Sequence, residues 1–286
     1  MNDKTAPIAA APDIVRVEEA GLNALQTQRQ LFYDGWLLRL SPGTAKRARS
    51  VNAHFGSSLP LAEKIAYCEA VYARHALPML FRMTPMSRPP ELDRELADRG
   101  YEMFDETLVQ TVVLERPPEI PDPADDVIVE APETDAFVDA VDALRRSTPE
   151  QREAHRERLI NSPLEKRYAL VRAGDRVVCT AQIVVEESLV GVFDVITAPD
   201  ARGRGHATLA CAWLLSWAWQ HGANAAYLQV KADNAPAIAA YRKFGFATAY
   251  TYHYRGRPGE YEQPSDAQAP TLAGVRGSAQ RVSEHG

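Results

Sequence analysis

Val192-Phe193-Asp194-Val195-Ile196-Thr197-Ala198-Pro199-Asp200-Ala201-Arg202-Gly203-Arg204-Gly205-His206-Ala207 is the stretch on which the reading of this chain turns. Its apolar first part reads as a buried strand, Pro199 and Asp200 turn the chain, and a loop of small residues opens directly into a long apolar pattern. In a strand-loop-helix of this kind the free N–H groups of the loop and first helical turn converge at the positive end of the helix dipole, which favours a phosphate or pyrophosphate. Gly203 and Gly205 let backbone approach such a ligand, and Arg202 and Arg204 add positive charge. The spacing excludes a P-loop, which needs G-x-x-x-x-G-K-[ST]. It also weakens a dinucleotide fingerprint, because the third position holds Thr208 and the loop follows several strands instead of opening the domain.

The second half of the chain alternates strand and helix patterns. Val127–Val129 begins a strand, Thr134–Arg145 and Pro149–Ile160 read as helices, and Arg167–Ala173 and Arg176–Val185 are strands joined at Gly174-Asp175. Leu189–Thr197 is the strand entering the glycine loop, and His206–His221 is the helix leaving it, with Leu209, Trp213 and Trp217 on one face and Gly222 at its end. Strand Ala225–Val230, helix Ala235–Lys243 and strand Ala247–Tyr254 complete the half.

Upstream, Glu115–Asp126 holds four prolines and five acidic residues and is expected to be a stiff linker between residues 14–115 and 126–260. Residues 1–13 and 263–286 lack any period and are expected to be disordered. The first half repeats part of the plan of the second. ELDRELADRGYEMFDETLVQTVVL from Glu91 parallels NAPAIAAYRKFGFATAYTYHYR from Asn234, each a helix ending in Gly-aromatic and running into a strand. Aligning Gly100 with Gly245 sets Leu96 opposite Tyr241. A helix Leu61–His75 follows a strand Arg49–Phe55, but the loop between them, GSSLP, has one glycine and no arginine, so a repeat of this kind would have lost the chemistry. The helix-Gly-aromatic-strand pattern is also common enough to arise without a repeat.

Composition narrows the function classes. The 286 residues are 45% hydrophobic with a net charge of −6, enough for two cores and the wrong sign for a nucleic-acid partner. Cys68, Cys179 and Cys211 sit in apolar patterns without C-x-x-C spacing, so neither a disulfide framework nor a metal site is expected. No apolar run is long enough to cross a membrane and the N-terminus lacks the pattern of a secretory signal, so a cytoplasmic protein is expected. Trp213, Trp217 and Trp219 fit a core or a domain interface and not a cofactor box; separately, a homodimer stays open as an assembly.

Two motifs in order carry a family resemblance. Arg202, Gly205 and Ala207 fill the pattern [QR]-x-x-G-x-[GA], approached by T-x-P-x-x-R-G-x-G with Thr197 where valine is usual. Asn234, Ala237, Tyr241, Gly245 and Phe246 then fill N-x-x-A-x-x-x-Y-x-x-x-G-F. Over roughly residues 126–254 the chain resembles the GNAT superfamily of N-acetyltransferases, and DGWLLR from Asp34 and RARSVN from Arg47 are similar to segments of bacterial tandem GNAT proteins. The resemblance implies an α+β, acyl-CoA N-acyltransferase fold: a mixed, mostly antiparallel sheet flanked by helices, splayed between strands 192–197 and 225–230, with a degenerate N-terminal copy.

It also implies that acetyl-CoA binds along Val195, Ile196, Thr197, Arg202, Gly203, Arg204, Gly205, His206, Ala207, Asn234 and Ala237, and that an amine attacks its thioester directly. No metal is implied. Tyr241 would be the general acid for the departing thiolate, although packing ahead of Gly-Phe also explains a tyrosine there. Asp194 is a candidate base, with Glu186 and Glu187 as rivals, and all three also fit solvated strand ends. His206 is expected to cap the helix or face solvent, and the strand with His253 among Tyr250, Tyr252 and Tyr254 could line an acceptor site or simply be half-buried. Non-catalytic acyl-CoA-binding and dinucleotide oxidoreductase readings stay open. The acceptor has no motif; the helices around Phe137–Ile160 and the first half are where it would be shaped.

Overall fold

The computed structural model describes residues 11–43 and 45–261. Most of the expected disorder, at 1–10 and 263–286, lies outside the described residues. Asp13 is ordered: its carboxylate accepts the Val15 N–H at 3.1 Å and caps helix α1, Ile14–Asn23, an element the sequence reading did not assign. The first half continues with strands β1 (Gln30–Tyr33), β2 (Trp36–Arg39) and β3 (Val51–Asn52), helix α2 (Leu61–Arg74), strand β4 (Leu80–Met83), helix α3 (Leu92–Asp98) and strand β5 (Glu102–Val113). The expected strand Arg49–Phe55 is shorter than its apolar pattern. A 3-10 turn at Lys46–Ala48 precedes it, and the Ala53 carbonyl turns out of the sheet to accept the Arg88 N–H at 2.7 Å.

After Glu115–Asp126, which has no helix or strand, come β6 (Val127–Glu130), α4 (Thr134–Arg145), α5 (Pro149–Asn161), β7 (Glu165–Ala173), β8 (Arg176–Glu186), β9 (Leu189–Thr197), α6 (His206–Gln220), β10 (Ala225–Lys231), α7 (Ala235–Arg242) and β11 (Ala247–Gly256). The period-2 and period-3.6 patterns of this half therefore end where turn residues interrupt them. Thr148 shows the local logic: its hydroxyl accepts the Gln151 N–H and the Gln151 side chain accepts the Thr148 N–H, closing a capping box before Pro149.

All strands of the described residues form one sheet in the order β1-β2-β3-β4-β11-β5-β10-β9-β8-β7-β6. The pairing directions repeat. In the first half β1, β2 and β3 pair antiparallel, β3 and β4 parallel, and β4 then meets β11 antiparallel. In the second half β7, β8 and β9 pair antiparallel, β9 and β10 parallel, and β10 meets β5 antiparallel. β5 and β11 pair with each other at the centre, so each half inserts its last strand into the other half's sheet.

Helices cover both faces. α6 buries Leu209, Leu214, Leu215 and Ala218 with α7 against β8, β9 and β10, each large aliphatic contributing about 1.5–3 kcal/mol. On another face α1 sets Val17 and Ala20 on Tyr227, Tyr250 and Tyr252. A separate core under α2 and α3 surrounds Trp36, Tyr72 and Phe81. Among the described residues no helix is long and apolar enough to cross a membrane.

Candidate functional site

The parallel pair β9–β10 parts company midway. Its register runs from Leu189 opposite Ala225 to Val192 opposite Leu228 and stops, while β9 continues to Thr197. At the same point β9 bulges against β8: Gln182 faces Phe193 and Thr180 faces Ile196, so Asp194 and Val195 together face Ala181. Asp194 takes a φ of 49°, and the Thr180 hydroxyl donates to its carbonyl at 2.9 Å. A bulge in one strand and a missing partner on its other side turn this segment's backbone toward a cleft.

That cleft, about 550 Å³, runs between β9, the glycine loop and α7. Val195, Ile196, Thr197, Arg202, Gly203, Gly205, His206, Ala207, Asn234, Ala237 and Tyr241 line it, so the structure brings together most of the residues that the two motifs singled out. Arg204 is not in this lining; it lies in the field of Asp200, which pairs with Arg176. Gly203 and Gly205 have φ of 77° and 83°, and a Cβ on either would meet nothing within 4 Å, so their backbone faces open space as a phosphate cradle requires. Gly205 is the N-cap of α6 and offers no side chain to the free N–H groups. His206 neither caps the helix nor faces solvent, the two places expected for it. It is buried in the first turn, and burial, with Arg204 nearby, lowers its pKa and keeps the imidazole neutral.

A second cavity of about 520 Å³ opens on the other side of the splayed segment. Its lining shares Val195, Ile196, Asn234, Ala237 and Tyr241 with the first and adds Asp194, Gln229, Lys231, Arg145, Arg158 and, from the first half, Leu25, Ala45 and Arg47. The two cavities meet at the bulge and at Tyr241. Tyr241 is half-buried, packs edge-on to Phe246 at 6.1 Å, and has its pKa raised by burial, so its hydroxyl stays protonated.

Asp194 is differently placed from a free base. Its carboxylate is ion-paired with Arg145, accepts Gln182 Nε2 at 2.6 Å, and has His155 Nε2 at 3.5 Å. Burial would push its pKa up, but Arg145, His155 and Arg158 outweigh that and hold it well below the usual carboxylate range. A carboxylate so held is a poor proton acceptor. The rival acids lie elsewhere: Glu186 accepts from Arg16 at 2.7 Å and from Asn23, tethering α1, and Glu187 sits exposed at the β8–β9 turn. The tyrosines of β11 point into the core, Tyr250 donating to Glu18 and Tyr252 to Gln229, while His253 is bonded to Asp93 at 2.8 Å. The Arg167 guanidinium lies over the rings of both Trp213 and Trp217, at 5.0 and 4.6 Å.

Sequence reading missed Arg47, Arg145, Arg158, Gln182 and His155. A signal was available for two of them: on α5, His155 and Arg158 share the buried stripe with Ala154 and Leu159, where polar residues are out of place. Arg47 carried no chemical signal, being brought in by the fold from far along the chain.

Comparison with known proteins bears on the family and the fold. A family model described as "Probable histone acetyltransferase Rv0428c C-terminal" matches residues 11–255, spanning both halves. The chain is 26% identical over 248 residues to the "Uncharacterized N-acetyltransferase YobR" of Bacillus subtilis (strain 168), covering 85% of this chain and 98% of that protein. Its fold resembles a GCN5-related N-acetyltransferase from Kribbella flavida, with a TM-score of 0.64 at 19% identity over 85% of this chain and 95% of the other. It also resembles a tandem GNAT protein from the clavulanic acid biosynthesis pathway, with a TM-score of 0.53 at 12% identity over 68% of each chain. The chain therefore belongs to the Rv0428c C-terminal family and is an acetyltransferase of the GNAT fold.

Proposed function

We propose that the protein transfers the acetyl group of acetyl-CoA directly to an amine, and that Tyr241 protonates the departing thiolate. The observation that carries this is the meeting of two cavities at Val195, Ile196, Asn234, Ala237 and Tyr241. A donor lying along the first cleft would present its thioester at the junction, and an acceptor in the second would reach it from the opposite side. The pyrophosphate would sit on the N–H groups of the Arg202–Ala207 loop, and the pantetheine arm would pair with the β9 backbone beyond Val192 that β10 leaves free.

The chemistry asks little of side chains. A thiol of pKa about 8.5 leaves readily, so a positioned hydroxyl need supply about 10²- to 10⁴-fold. With its own pKa raised, Tyr241 acts by hydrogen-bonding to the leaving sulfur and passing its proton only as negative charge gathers there. The proton of the acceptor ammonium goes to solvent. Asp194 instead fixes the bulge and Arg145. Residues 126–260 carry the reaction, and residues 14–115 support the sheet and wall the acceptor cavity.

The test is calorimetry with acetyl-CoA and with NAD, followed by thiol release against an amine panel. Tight acetyl-CoA binding with acceptor-dependent thiol release is expected. Binding without release from any amine would indicate a regulatory acyl-CoA-binding module, and NAD binding in its place would end the acyltransferase reading.

A further inference from the structure

The charge of the acceptor cavity does not suit a basic acceptor. Its lining holds four cations, Arg47, Arg145, Arg158 and Lys231, and one carboxylate, Asp194. Two of the cations have partners within the chain: Arg145 pairs with Asp194, and Lys231 lies 2.6 Å from an oxygen of Asp105. Arg158 senses Asp194, whose oxygens are engaged by Arg145, Gln182 and His155. Arg158 is 8% exposed, yet its Nε makes no hydrogen bond among the described residues; one terminal nitrogen of Arg47 is likewise buried without a partner. Arg47 and Arg145 both act on Arg158 as repelling charges. The Arg47 guanidinium lies 5.5 Å from the Phe193 ring centroid, and against these cations the cavity supplies one carboxylate, Asp194, already shared among Arg145, Gln182 and His155, so the unbonded N–H groups of Arg47 and Arg158 have no oxyanion to meet. They come from opposite halves of the molecule, Arg47 from the 3-10 turn before β3 and Arg158 from α5, so the arrangement exists only in the assembled fold.

We propose that the acceptor amine itself carries an oxyanion, a carboxylate or a phosphate, and that Arg47 and Arg158 bind that group and so orient the amine toward the junction at Tyr241. This rests on the acetyltransferase reading above and adds the acceptor class to it. A planar guanidinium offers paired N–H donors matching the oxygens of a carboxylate or phosphate, and an amine tethered to that anchor would be held near the thioester. A lysine-rich peptide would bring positive charge to the same cations. Arg47 and Arg158 are in this proposal specificity residues, and the first half supplies one of them.

The experiment uses the full chain. With acetyl-CoA saturating, kcat/KM is measured for glycine, glycinamide, 2-aminoethyl phosphate and a lysine-rich histone-tail peptide, in wild type and in Arg47→Gln and Arg158→Gln. Anionic amines are expected to exceed glycinamide by about tenfold or more, as a charge-assisted contact gives. The carboxylate and phosphate arms tell which oxyanion fits. Arg47→Gln should remove that preference and leave acetyl-CoA affinity unchanged. Because Arg158 is buried, Arg158→Gln is read only if it unfolds cooperatively like wild type, and the half-buried Arg47 carries the test otherwise.

A binding measurement keeps the proposal distinguishable from the reaction. In the presence of CoA, N-acetylglycine should bind to wild type at least tenfold more tightly than N-acetylglycinamide, and Arg47→Gln should abolish the difference. That result supports the anion site even if no amine is turned over, in which case the transferase reading alone fails. Equal binding of the two, an unchanged preference in both variants, or faster turnover of the histone-tail peptide would overturn the proposal.

Discussion

Leu96 and Tyr241 hold equivalent places in the two halves of this molecule. The carbonyl of each accepts the N–H of the aromatic residue five positions on, Tyr101 at 3.0 Å and Phe246 at 3.4 Å, across a glycine at φ 82° and 86°. The helix ends alike, so the difference between leucine and tyrosine is a difference of chemistry and not of fold. Leu96 is fully buried in the core under α2 and α3, whereas Tyr241 faces the meeting of two cavities. Tyr241→Phe deletes one hydroxyl and keeps the ring on Phe246. It should lower kcat by about 10²- to 10⁴-fold with little change in acetyl-CoA KM, because the lost contact matters mainly in the transition state. Burial raises the hydroxyl above its ordinary value of 10.0, so Tyr241 stays protonated through neutral and mildly alkaline pH. The wild-type rate should therefore climb toward pH 10 as the acceptor loses its proton, with no descending limb from Tyr241. Wild-type turnover in the phenylalanine variant, with chemistry limiting, would assign the proton to another donor.

Gly205→Asp tests the loop. The φ of 83° is one that aspartate tolerates better than most side chains, a Cβ there meets nothing within 4 Å, and aspartate is a good N-cap. The fold should survive with a loss of about 1–2 kcal/mol from the left-handed backbone. The new carboxylate would nevertheless stand in the space assigned to pyrophosphate and repel it. Calorimetry should find acetyl-CoA affinity reduced at least a hundredfold in a variant whose thermal unfolding remains cooperative. Unaltered affinity would reduce the loop to a connector.

The halves of the chain differ in how openly the sequence declares them. From Val127 onward, alternation and helical period are regular and are bounded by Gly174, Pro199, Gly205 and Gly222, so each expected element occurs within a few residues of its place. The glycine loop was legible for the same reason: few other uses exist for R-G-R-G between a buried strand and an apolar helix. In the first half the strands are as short as Val51–Asn52, too short for alternation to register. The exchange of β5 and β11 leaves no local mark at all, since either strand would show the same pattern beside any antiparallel neighbour. Asp194 was legible as an unusual acid in an apolar strand, but its function depends on Arg145, Gln182, His155 and Arg158, none of them adjacent in sequence. A carboxylate in isolation looks like a base; with cations on it, it is an anchor.

Asp194→Asn distinguishes those two roles. As an anchor, Asp194 should cost about 3–5 kcal/mol when replaced, because Arg145, Arg158 and His155 are left facing one another. The pH dependence has a definite sign. Asp194 has a lowered folded pKa, so its contribution is present at neutral pH and is lost only as pH falls below the ordinary value of 3.8 through the folded one. Burial pulls His155 down, but the carboxylates of Asp142 and Asp194 outweigh it and the net value is raised, so its contribution is complete below 6.5 and lost as pH rises through the folded value. Urea unfolding should therefore show wild type losing stability as pH rises above 6.5 through the raised value of His155, and Asp194→Asn should be less stable there with a shallower loss. A variant of unchanged stability whose kcat falls a hundredfold would restore Asp194 as the base.

The strand exchange makes its own prediction about the boundary at Glu115–Asp126. A chain beginning at residue 126 keeps both sequence motifs and every residue of the glycine loop, yet it loses β5 from between β10 and β11. Ala225–Lys231 would then present an unpaired edge, and Ala247–Gly256, whose neighbours β4 and β5 are both removed, would have no strand partner; with Leu228, Val230 and Tyr250 beside them, exposed apolar strands of this length pair with other chains. The acceptor cavity would also lose Leu25, Ala45 and Arg47. Residues 126–286 expressed alone should aggregate, or show strand content by circular dichroism without a cooperative thermal transition, and should bind acetyl-CoA at least tenfold more weakly than the whole chain. Co-expression with residues 1–125 should restore a soluble complex, because β5 and β11 carry the pairing information for one another and the linker only raises their effective concentration. A monomeric, cooperatively folding 126–286 fragment with full acetyl-CoA affinity would show that the second half closes its sheet unaided, and that β5 is an addition to it and not a component.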